Sequence, residues 1–228
     1  EVYILINIYQ RMNLNIQQKH MIDRQLMPNF IIDEKIIKIF SIVKREDFLP
    51  NKFKNIAYID DNIFFEDRFM LRTLYLAKIL TFMKLNKSYE ILDIGCASGY
   101  SSIIFNHFFK KVLAFETNQK LFSICNDYIN QKNLISCNII NADIKNYELK
   151  YKFDYIFING LVDEIPEFLK KNLKQSGEIY AIYNPKFNTS YFCKFKLNDS
   201  DQLDVLRLFE ASAPLLISLK NKKKKFSF

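Results

Sequence analysis

The clearest chemical signal in the sequence is a turn that joins a buried strand directly to a helix. Residues 89–102 read Tyr-Glu-Ile-Leu-Asp-Ile-Gly-Cys-Ala-Ser-Gly-Tyr-Ser-Ser, and the turn holds Gly95 and Gly99, two of only four glycines in 228 residues. Glycine in such a turn lets the backbone approach a bound ligand closely. The spacing Gly95-x-x-x-Gly99 departs from the G-x-G-x-x-G fingerprint, so a dinucleotide pyrophosphate fits poorly.

Two carboxylates accompany this turn. Asp93 precedes it on the strand, and Glu116 ends the next predicted strand, 21 residues after Gly95. A carboxylate at that position can accept hydrogen bonds from both hydroxyls of a ribose. Each feature also has an ordinary explanation, because glycine turns occur without ligands and Glu116 can be a simple strand-end charge. Their agreement in register favours a ligand site.

The elements that must position these residues follow an α/β pattern. From residue 88 onward short apolar runs alternate with amphipathic stretches, which is typical of βαβ units around a mostly parallel sheet. The predicted strands are residues 90–95, 111–116, 136–141, 153–159 and 177–183, and the predicted helices are 100–109, 118–131 and 161–173. Period-two alternation over 190–197, followed by 203–209, predicts antiparallel strands that close the sheet.

The N-terminal half is predicted to be helical and to cover the ligand cleft. Asp33 is a plausible N-cap for a helix over residues 34–43, Pro50 breaks the pattern, and a second helix is predicted over 72–83. The predicted organisation is a poorly specified extension (1–12), an N-terminal helical cap (13–85), a Rossmann-like ligand-binding domain (86–218) and a basic tail (219–228). These parts are expected to form one compact unit.

Composition argues against several other classes of protein. Lys220 and the run at 222–225 supply five of the eight excess positive charges, so the rest of the chain is not basic enough to indicate nucleic-acid binding. The apolar N-terminal run is too short to span a membrane. The four cysteines form no C-x-x-C pair and there are only two histidines, so no metal site or disulfide framework is expected and a cytoplasmic location is predicted.

The glycine turn resembles motif I of class I methyltransferases. More specifically, four stretches resemble segments of the protein-L-isoaspartate O-methyltransferase family: Met21-Ile-Asp-Arg-Gln-Leu-Met-Pro28, Val43-Lys-Arg-Glu-Asp-Phe-Leu-Pro50, Ala57-Tyr-Ile-Asp-Asp61 and Val162-Asp-Glu-Ile-Pro166. The resemblance covers residues 21–185, and the ending 208–216 is similar to a divergent bacterial branch of that family. It implies a Rossmann-like class I methyltransferase fold with a mostly parallel seven-stranded sheet and helices on both faces.

The resemblance also implies a cofactor, S-adenosylmethionine, and a set of residues that bind it. Asp93 would order the loop and the methionine end of the cofactor, Glu116 would bind the ribose, and Asp143 matches the usual partner of the adenine amino group, although it can also simply cap a turn. The implied set is Asp93, Gly95, Cys96, Ala97, Ser98, Gly99, Glu116, Thr117, Ala142 and Asp143. The implied partner is a protein or peptide that contains isoaspartyl residues, and the expected enzyme is a monomer.

One segment departs from the family pattern. Repair enzymes of the family carry a Thr-Ile-Ser-Gln-Pro-like segment that holds the substrate carboxylate, whereas here Leu71 stands at the serine position and Thr73 at the proline position. Arg72 and Thr73 are candidates for positioning the substrate, although Arg72 can equally be an exposed residue at a helix start. Asn159, after the fourth strand, is a further candidate, with a simple turn residue as the alternative.

Three hypotheses follow for the function. The first is a carboxyl methyltransferase that acts on isoaspartyl protein; its nucleophile is already ionised at neutral pH, so the scarcity of histidine is no objection. The second is a methyltransferase of the same fold with another acceptor, because the serine segment is altered. The third is a non-catalytic binding module in which the lysine tail contacts an acidic partner.

Overall fold

The fold is built on a seven-stranded sheet preceded by a helical N-terminal part. The computed structural model describes residues 2–185 and 189–219, with side chains described from residue 12 onward. In chain order the elements are α1 (Val2–Met21), α2 (Glu34–Ile42), β1 (Ile63–Phe65), β2 (Arg68–Met70), α3 (Thr73–Phe82), β3 (Glu90–Ile94), α4 (Tyr100–Asn106), β4 (Lys111–Glu116), α5 (Gln119–Gln131), β5 (Cys137–Asn141), β6 (Phe153–Val162), α6 (Glu167–Lys171), β7 (Leu173–Tyr183), β8 (Tyr191–Leu197) and β9 (Leu203–Glu210).

The strand order in the sheet is β5-β4-β3-β6-β7-β8-β9. The first five strands in this order are parallel, and β8 and β9 are antiparallel to their neighbours. The predicted α/β class, a mostly parallel seven-stranded Rossmann-like sheet, is therefore confirmed. Because parallel strands end at the same edge, the segments after β3, β4 and β6 come together there.

The apolar core lies on both faces of this sheet. Side chains alternate along each strand, so that Ile91 and Val112 face one layer while Leu92 and Leu113 face the other. The first layer is covered by the N-terminal part together with α4 and α5. The second is covered by α6 and by short 3₁₀ turns at Ile144–Asn146 and Ile217–Leu219. Both faces are thus shielded from water, as a parallel sheet requires.

The predicted helix over residues 161–173 is wrong in its extent. Strand β6 continues to Val162, and helix α6 occupies only five residues after Pro166. Leu161 and Val162 pair with β7 after a register shift that places Asn159 and Gly160 in a bulge. Apolar residues after a glycine suggested a helix, but the neighbouring strand satisfies their backbone groups instead.

In the N-terminal part, the predicted cap of α2 is confirmed: Asp33 Oδ1 accepts hydrogen bonds from the amides of Lys35 (2.8 Å) and Ile36 (3.1 Å). The β1–β2 hairpin was not predicted. Helix α1 runs through residues 2–12, where an extension was expected, so a boundary at residue 12 falls within a helix. Residues 220–228 of the predicted tail lie outside the described residues. None of the helices that the structure describes is long and apolar enough to cross a membrane.

Candidate cofactor and acceptor site

The turn between β3 and α4 has the backbone shape that its glycines predict. Gly95 has φ +71° and Gly99 has φ +90°, and Ala97 between them also lies in the left-handed region at φ +51°. The amides of Gly95 and Cys96 both donate to the carbonyl of Phe115, at 2.9 and 3.2 Å. Three left-handed residues in one short loop are uncommon, and alanine in this conformation is strained. Such local strain occurs typically where the backbone must approach a ligand.

Asp93 lies beneath this turn and is completely buried. Its Oδ2 accepts hydrogen bonds from the hydroxyls of Ser101 and Ser102, each at 2.6 Å. The Nδ2 of Asn159 donates in turn to the Ser101 hydroxyl at 2.8 Å. Burial raises the pKa of Asp93 to about 6, although the two serine hydrogen bonds oppose this shift. The network fixes one carboxylate oxygen and leaves the other available.

Glu116, at the end of β4, braces the same turn from the neighbouring strand. Its Oε2 accepts a hydrogen bond from the amide of Ala97 at 2.8 Å, and its Oε1 accepts from the amides of Thr117 and Asn118 at 2.8 and 2.9 Å. Arg68 also binds this carboxylate, with Nε 3.2 Å from Oε2. The predicted ribose-binding carboxylate is therefore buried at the expected place and is already fully hydrogen-bonded.

Several buried polar atoms around the turn have no hydrogen-bond partner. Among the described residues these include Asp93 Oδ1, Ser98 Oγ and Asn159 Oδ1. Unpaired buried polar groups are rare in folded proteins, and three so close together indicate a missing partner. A ligand with a cationic donor, such as the ammonium group of S-adenosylmethionine, fits the free oxygen of Asp93. The residues present therefore suit the predicted cofactor.

Two small cavities meet at the turn. The first, of about 10 Å³, lies on the Glu116 side and is lined by Arg68, Ile94, Gly95, Phe115, Glu116, Thr117, Ala142, Ile144 and Ser218. The second, also of about 10 Å³, lies on the Asn159 side and is lined by Phe69, Met70, Leu71, Leu76, Cys96, Tyr100, Ser101 and Asn159. Consecutive residues, Arg68–Phe69 and Gly95–Cys96, separate them. Each cavity is smaller than the roughly 300–1,000 Å³ usual for ligand sites.

Larger cavities elsewhere lack this combination of groups. One of them, of about 450 Å³, lies between α2, α3 and the end of α4, and is lined by Asp33, Lys35, Ile36, Leu80, Thr81, Met83, Leu85, Lys87, His107 and Phe108. It is open to the surface and includes no residue of the glycine turn. Its size alone therefore does not make it the functional site.

The predicted adenine-side residues lie next to the first cavity. Ala142 lines it directly. Asp143 accepts a hydrogen bond from the amide of Lys145 at 3.0 Å and caps the 3₁₀ turn that follows β5. Asp143 therefore caps a turn, which is the alternative role given for it above. Adenine binding by this residue stays a prediction.

The candidate acceptor residues are divided between the second cavity and the surface. Leu71 and Asn159 line the cavity, and Thr73 is buried at the first position of α3. Arg72 instead turns to Asp60, with which its guanidinium makes a two-point ion pair that raises the pKa of Arg72. The pair with Asp60 holds the Arg72 guanidinium, and Arg72 is not among the described residues that line the two cavities.

Two arginines near the site were not identified from the sequence. Arg68 donates from Nη2 to the carbonyl of Gly95 at 2.8 Å, in addition to its ion pair with Glu116. Arg45 is fully buried and donates to the carbonyls of Ala57 (2.8 Å) and Leu71 (2.9 Å), so it holds the segment before α3 in place. Their partners are distant in sequence, and no local pattern predicts such contacts.

The raised pKa of Asp93 gives a testable pH dependence of stability. An unfolded aspartate titrates near pH 3.9, so between about pH 4 and 6 the cofactor-free folded chain binds this proton more tightly than the unfolded chain. We therefore expect the contribution of Asp93 to the free energy of unfolding to fall by up to about 3 kcal/mol as the pH rises through this window, and to stay constant above it. Urea unfolding of the wild type and Asp93→Asn between pH 4 and 8 measures this contribution as a difference. Parallel curves would contradict it.

Comparison with known proteins places this site in a family. The model of the protein-L-isoaspartate(D-aspartate) O-methyltransferase family matches residues 16–207. A protein-L-isoaspartate O-methyltransferase of Helicobacter pylori strain G27 is 24% identical over 170 residues, which cover 74% of this chain and 81% of that protein. The Geobacter metallireducens enzyme of the same name is 23% identical over 179 residues, with 78% and 83% covered.

Solved structures agree on the fold. A Plasmodium falciparum protein, described as a protein-L-isoaspartate O-methyltransferase in complex with S-adenosyl-L-homocysteine, superposes with a TM-score of 0.72 at 18% identity, covering 89% of this chain and 97% of the other. A second protein-L-isoaspartate O-methyltransferase superposes with a TM-score of 0.69 at 19% identity, covering 90% and 65%. Together with the family match over most of the chain, the glycine turn and its two carboxylates show that this chain belongs to the protein-L-isoaspartate(D-aspartate) O-methyltransferase family.

Proposed function

We propose that the protein methylates the free carboxylate of isoaspartyl residues in damaged proteins or peptides. Membership of the family makes it an S-adenosylmethionine-dependent carboxyl O-methyltransferase. The observation that carries the proposal is the match over residues 16–207, which spans both the cofactor turn and the segment that covers it. When bound, the cofactor supplies a methyl group on a positively charged sulfur.

The chain's own residues suit a reaction that depends on positioning. A carboxylate is ionised at neutral pH and needs no general base to act as a nucleophile. The second cavity is lined mainly by apolar side chains, which exclude water around the reacting charges. Asn159, whose Nδ2 donates to the Ser101 hydroxyl, is the side chain in its wall that we propose orients the acceptor. We propose that Thr73, buried at the start of α3, assists it.

The proposed cofactor-binding residues are those implied by the sequence resemblance. We propose that Asp93 and Glu116 bind its two polar ends and that the loop of Gly95, Cys96, Ala97, Ser98 and Gly99 contacts it between them; the hydrogen bonds of both carboxylates beside this loop support the proposal. Burial raises the pKa of the Cys96 thiol well above its ordinary value, so we propose a packing role for this side chain rather than a chemical one. Residues 13–85 are proposed as the cap of the site.

We further propose a cytoplasmic monomer. Four free buried cysteines support a reducing compartment, and size-exclusion chromatography with light scattering tests the oligomeric state. The net charge outside the terminal lysines supports a protein rather than a nucleic-acid partner.

The direct test is transfer of a labelled methyl group from S-adenosylmethionine to an isoaspartyl peptide. We expect transfer to this peptide and none to the same peptide with ordinary aspartate. Binding of S-adenosylhomocysteine without transfer would favour another acceptor, an alternative that buried Leu71 at the family's serine position specifically supports. Arg72 can hold an acceptor only by leaving Asp60, so Arg72→Ala should slow transfer more than Asp60→Ala if it has this role.

Leu71→Ser is expected to raise the rate of transfer to the isoaspartyl peptide by about tenfold. A hydroxyl there would supply a hydrogen bond to the acceptor carboxylate, and such positioning groups contribute a few kcal/mol to transition-state binding. The variant should also lose about 2–4 kcal/mol of stability because it truncates a buried leucine. Leu71→Ala is the matched control, with the same stability loss and no rate increase. Equal rates for the two variants would contradict a positioning role for the hydroxyl.

A further inference from the structure

Arg68 reaches from the β1–β2 hairpin into the cofactor cleft. Its Nε lies 3.2 Å from Oε2 of Glu116 and its Nη2 lies 2.8 Å from the carbonyl of Gly95. The side chain is 10% exposed and that of Glu116 only 1%. A Cβ placed on Gly95 would lie 2.6 Å from Nη2, so the guanidinium lies directly against the turn.

This contact occupies the place of a ribose. Of the four nitrogens hydrogen-bonded to the Glu116 carboxylate, three are backbone amides, those of Ala97, Thr117 and Asn118. The fourth is on Arg68, which binds Oε2. The Thr117 hydroxyl also donates to Oε1, at 3.3 Å, beside the amide of its own residue. A carboxylate has about four acceptor positions and these are already filled, so a ribose that donates to it must displace a side-chain donor. Of these two, Arg68 has the long side chain and a second anchor, the Gly95 carbonyl, and it also lines the first cavity.

The two cavities point to the same movement. Arg68 and Leu216 cover Gly95, and Phe69 contacts the region of Gly160 on the other side of the turn. Neither cavity alone has the usual volume of a ligand site. Withdrawal of the Arg68 side chain from Glu116 would enlarge the first cavity, which this side chain lines.

The cofactor also carries a carboxylate that needs a cationic partner. Arg68 is the one lysine or arginine among the described residues that line these two cavities. A buried carboxylate without a cation or several donors is costly, and arginine binds carboxylates through two parallel hydrogen bonds. We propose that Arg68 exchanges Glu116 for the carboxylate of the cofactor's methionine moiety, so that it is a cofactor-binding residue whose release also frees the ribose site. The proposal rests on the proposed function only through the cofactor, which any methyl acceptor would share.

Two ligands distinguish this exchange from other roles of Arg68. S-adenosylhomocysteine has the amino-acid carboxylate, whereas 5′-methylthioadenosine keeps the adenosine and thioether but lacks the amino-acid group. In calorimetric titrations of the full chain, Arg68→Met should weaken S-adenosylhomocysteine binding by about tenfold or more. The same variant should bind 5′-methylthioadenosine equally well or more tightly, because Glu116 no longer has a competing partner.

Other results would overturn the proposal. If Arg68 only blocked the ribose site and did not bind the cofactor, Arg68→Met would bind both ligands more tightly. If Arg68 had a merely structural role, Arg68→Met would bind both ligands equally more weakly. Arg68→Lys is the second variant: it keeps the charge and should lose less affinity for S-adenosylhomocysteine, with 5′-methylthioadenosine unaffected. Thermal unfolding checks that each variant is folded, and if Arg68→Met is not, Arg68→Lys must still weaken only the first ligand. These titrations contain no methyl acceptor. The expected difference between the two ligands therefore holds even if the protein transfers no methyl group to an isoaspartyl peptide.

Discussion

Glu116→Ala is expected to weaken S-adenosylhomocysteine binding at least about a hundredfold. The two ribose hydroxyls of the ligand would lose the charged carboxylate to which we propose they donate hydrogen bonds. The substitution should also lower the free energy of unfolding by about 3–5 kcal/mol, because it leaves the nearly buried Arg68 without its carboxylate and the Ala97 amide without its acceptor. Calorimetric titration and urea unfolding measure the two effects.

Two controls separate binding from stability. Glu66→Ala removes a glutamate whose ion pair with Lys120 is at the surface, and it should change neither quantity by more than about 1 kcal/mol. The double variant Glu116→Ala with Arg68→Met removes both members of the buried pair, so it should recover part of the stability without recovering cofactor binding. If Glu116→Ala alone still bound S-adenosylhomocysteine normally, the assignment of Glu116 to the ribose would be wrong.

Gly99→Ala is expected to destabilise the protein by about 2–4 kcal/mol. Gly99 has φ +90°, which alanine adopts only with strain, and an added Cβ would lie 2.1 Å from Sγ of Cys125 and 2.8 Å from its Cβ. Helix α5 packs directly on the turn at this point, so either the helix or the turn must move. The shift in the urea midpoint measures the loss, and cofactor affinity should fall with it because the turn is displaced.

The contact with Cys125 can be tested by a double-mutant cycle. Cys125→Ala alone should cost about 1 kcal/mol as a small core truncation. In the double variant with Gly99→Ala, the sulfur closest to the added Cβ is gone. The double variant should therefore lose less stability than the sum of the losses in the two single variants. Simple additivity would show that backbone strain at φ +90°, rather than the cysteine, accounts for the effect.

The pattern of the sequence predicted most of the sheet. Strand β4 begins and ends at the predicted residues, and β3, β5, β8 and β9 each differ from prediction by one residue at one end. These strands are buried or alternate cleanly, so their periodicity is unambiguous. The prediction of a helix over residues 161–173 was wrong because the pattern there is ambiguous. Its apolar residues suit either a helix or a buried strand, and pairing of Leu161 and Val162 with β7 decided the outcome.

The candidate site divides in the same way. The turn with Gly95 and Gly99, the buried Asp93 and the strand-end Glu116 were all found from spacing, because a strand, a turn and a helix impose a local order on these residues. Arg68 was missed because its partner Glu116 is 48 residues away. Arg72 was a candidate from its position beside Leu71, yet the fold pairs it with Asp60, 12 residues earlier.

By itself, the sequence determined the class of fold, the cofactor turn and the family, since these depend on periodicity and on short-range spacing that the backbone geometry translates directly into structure. Only the tertiary structure decided which charges meet. It paired Arg68 with Glu116 and Arg72 with Asp60, and it put Leu71 in the wall of the second cavity. Such pairings depend on how distant segments pack, because burial forces each charged group to find a partner in whichever element the fold brings near.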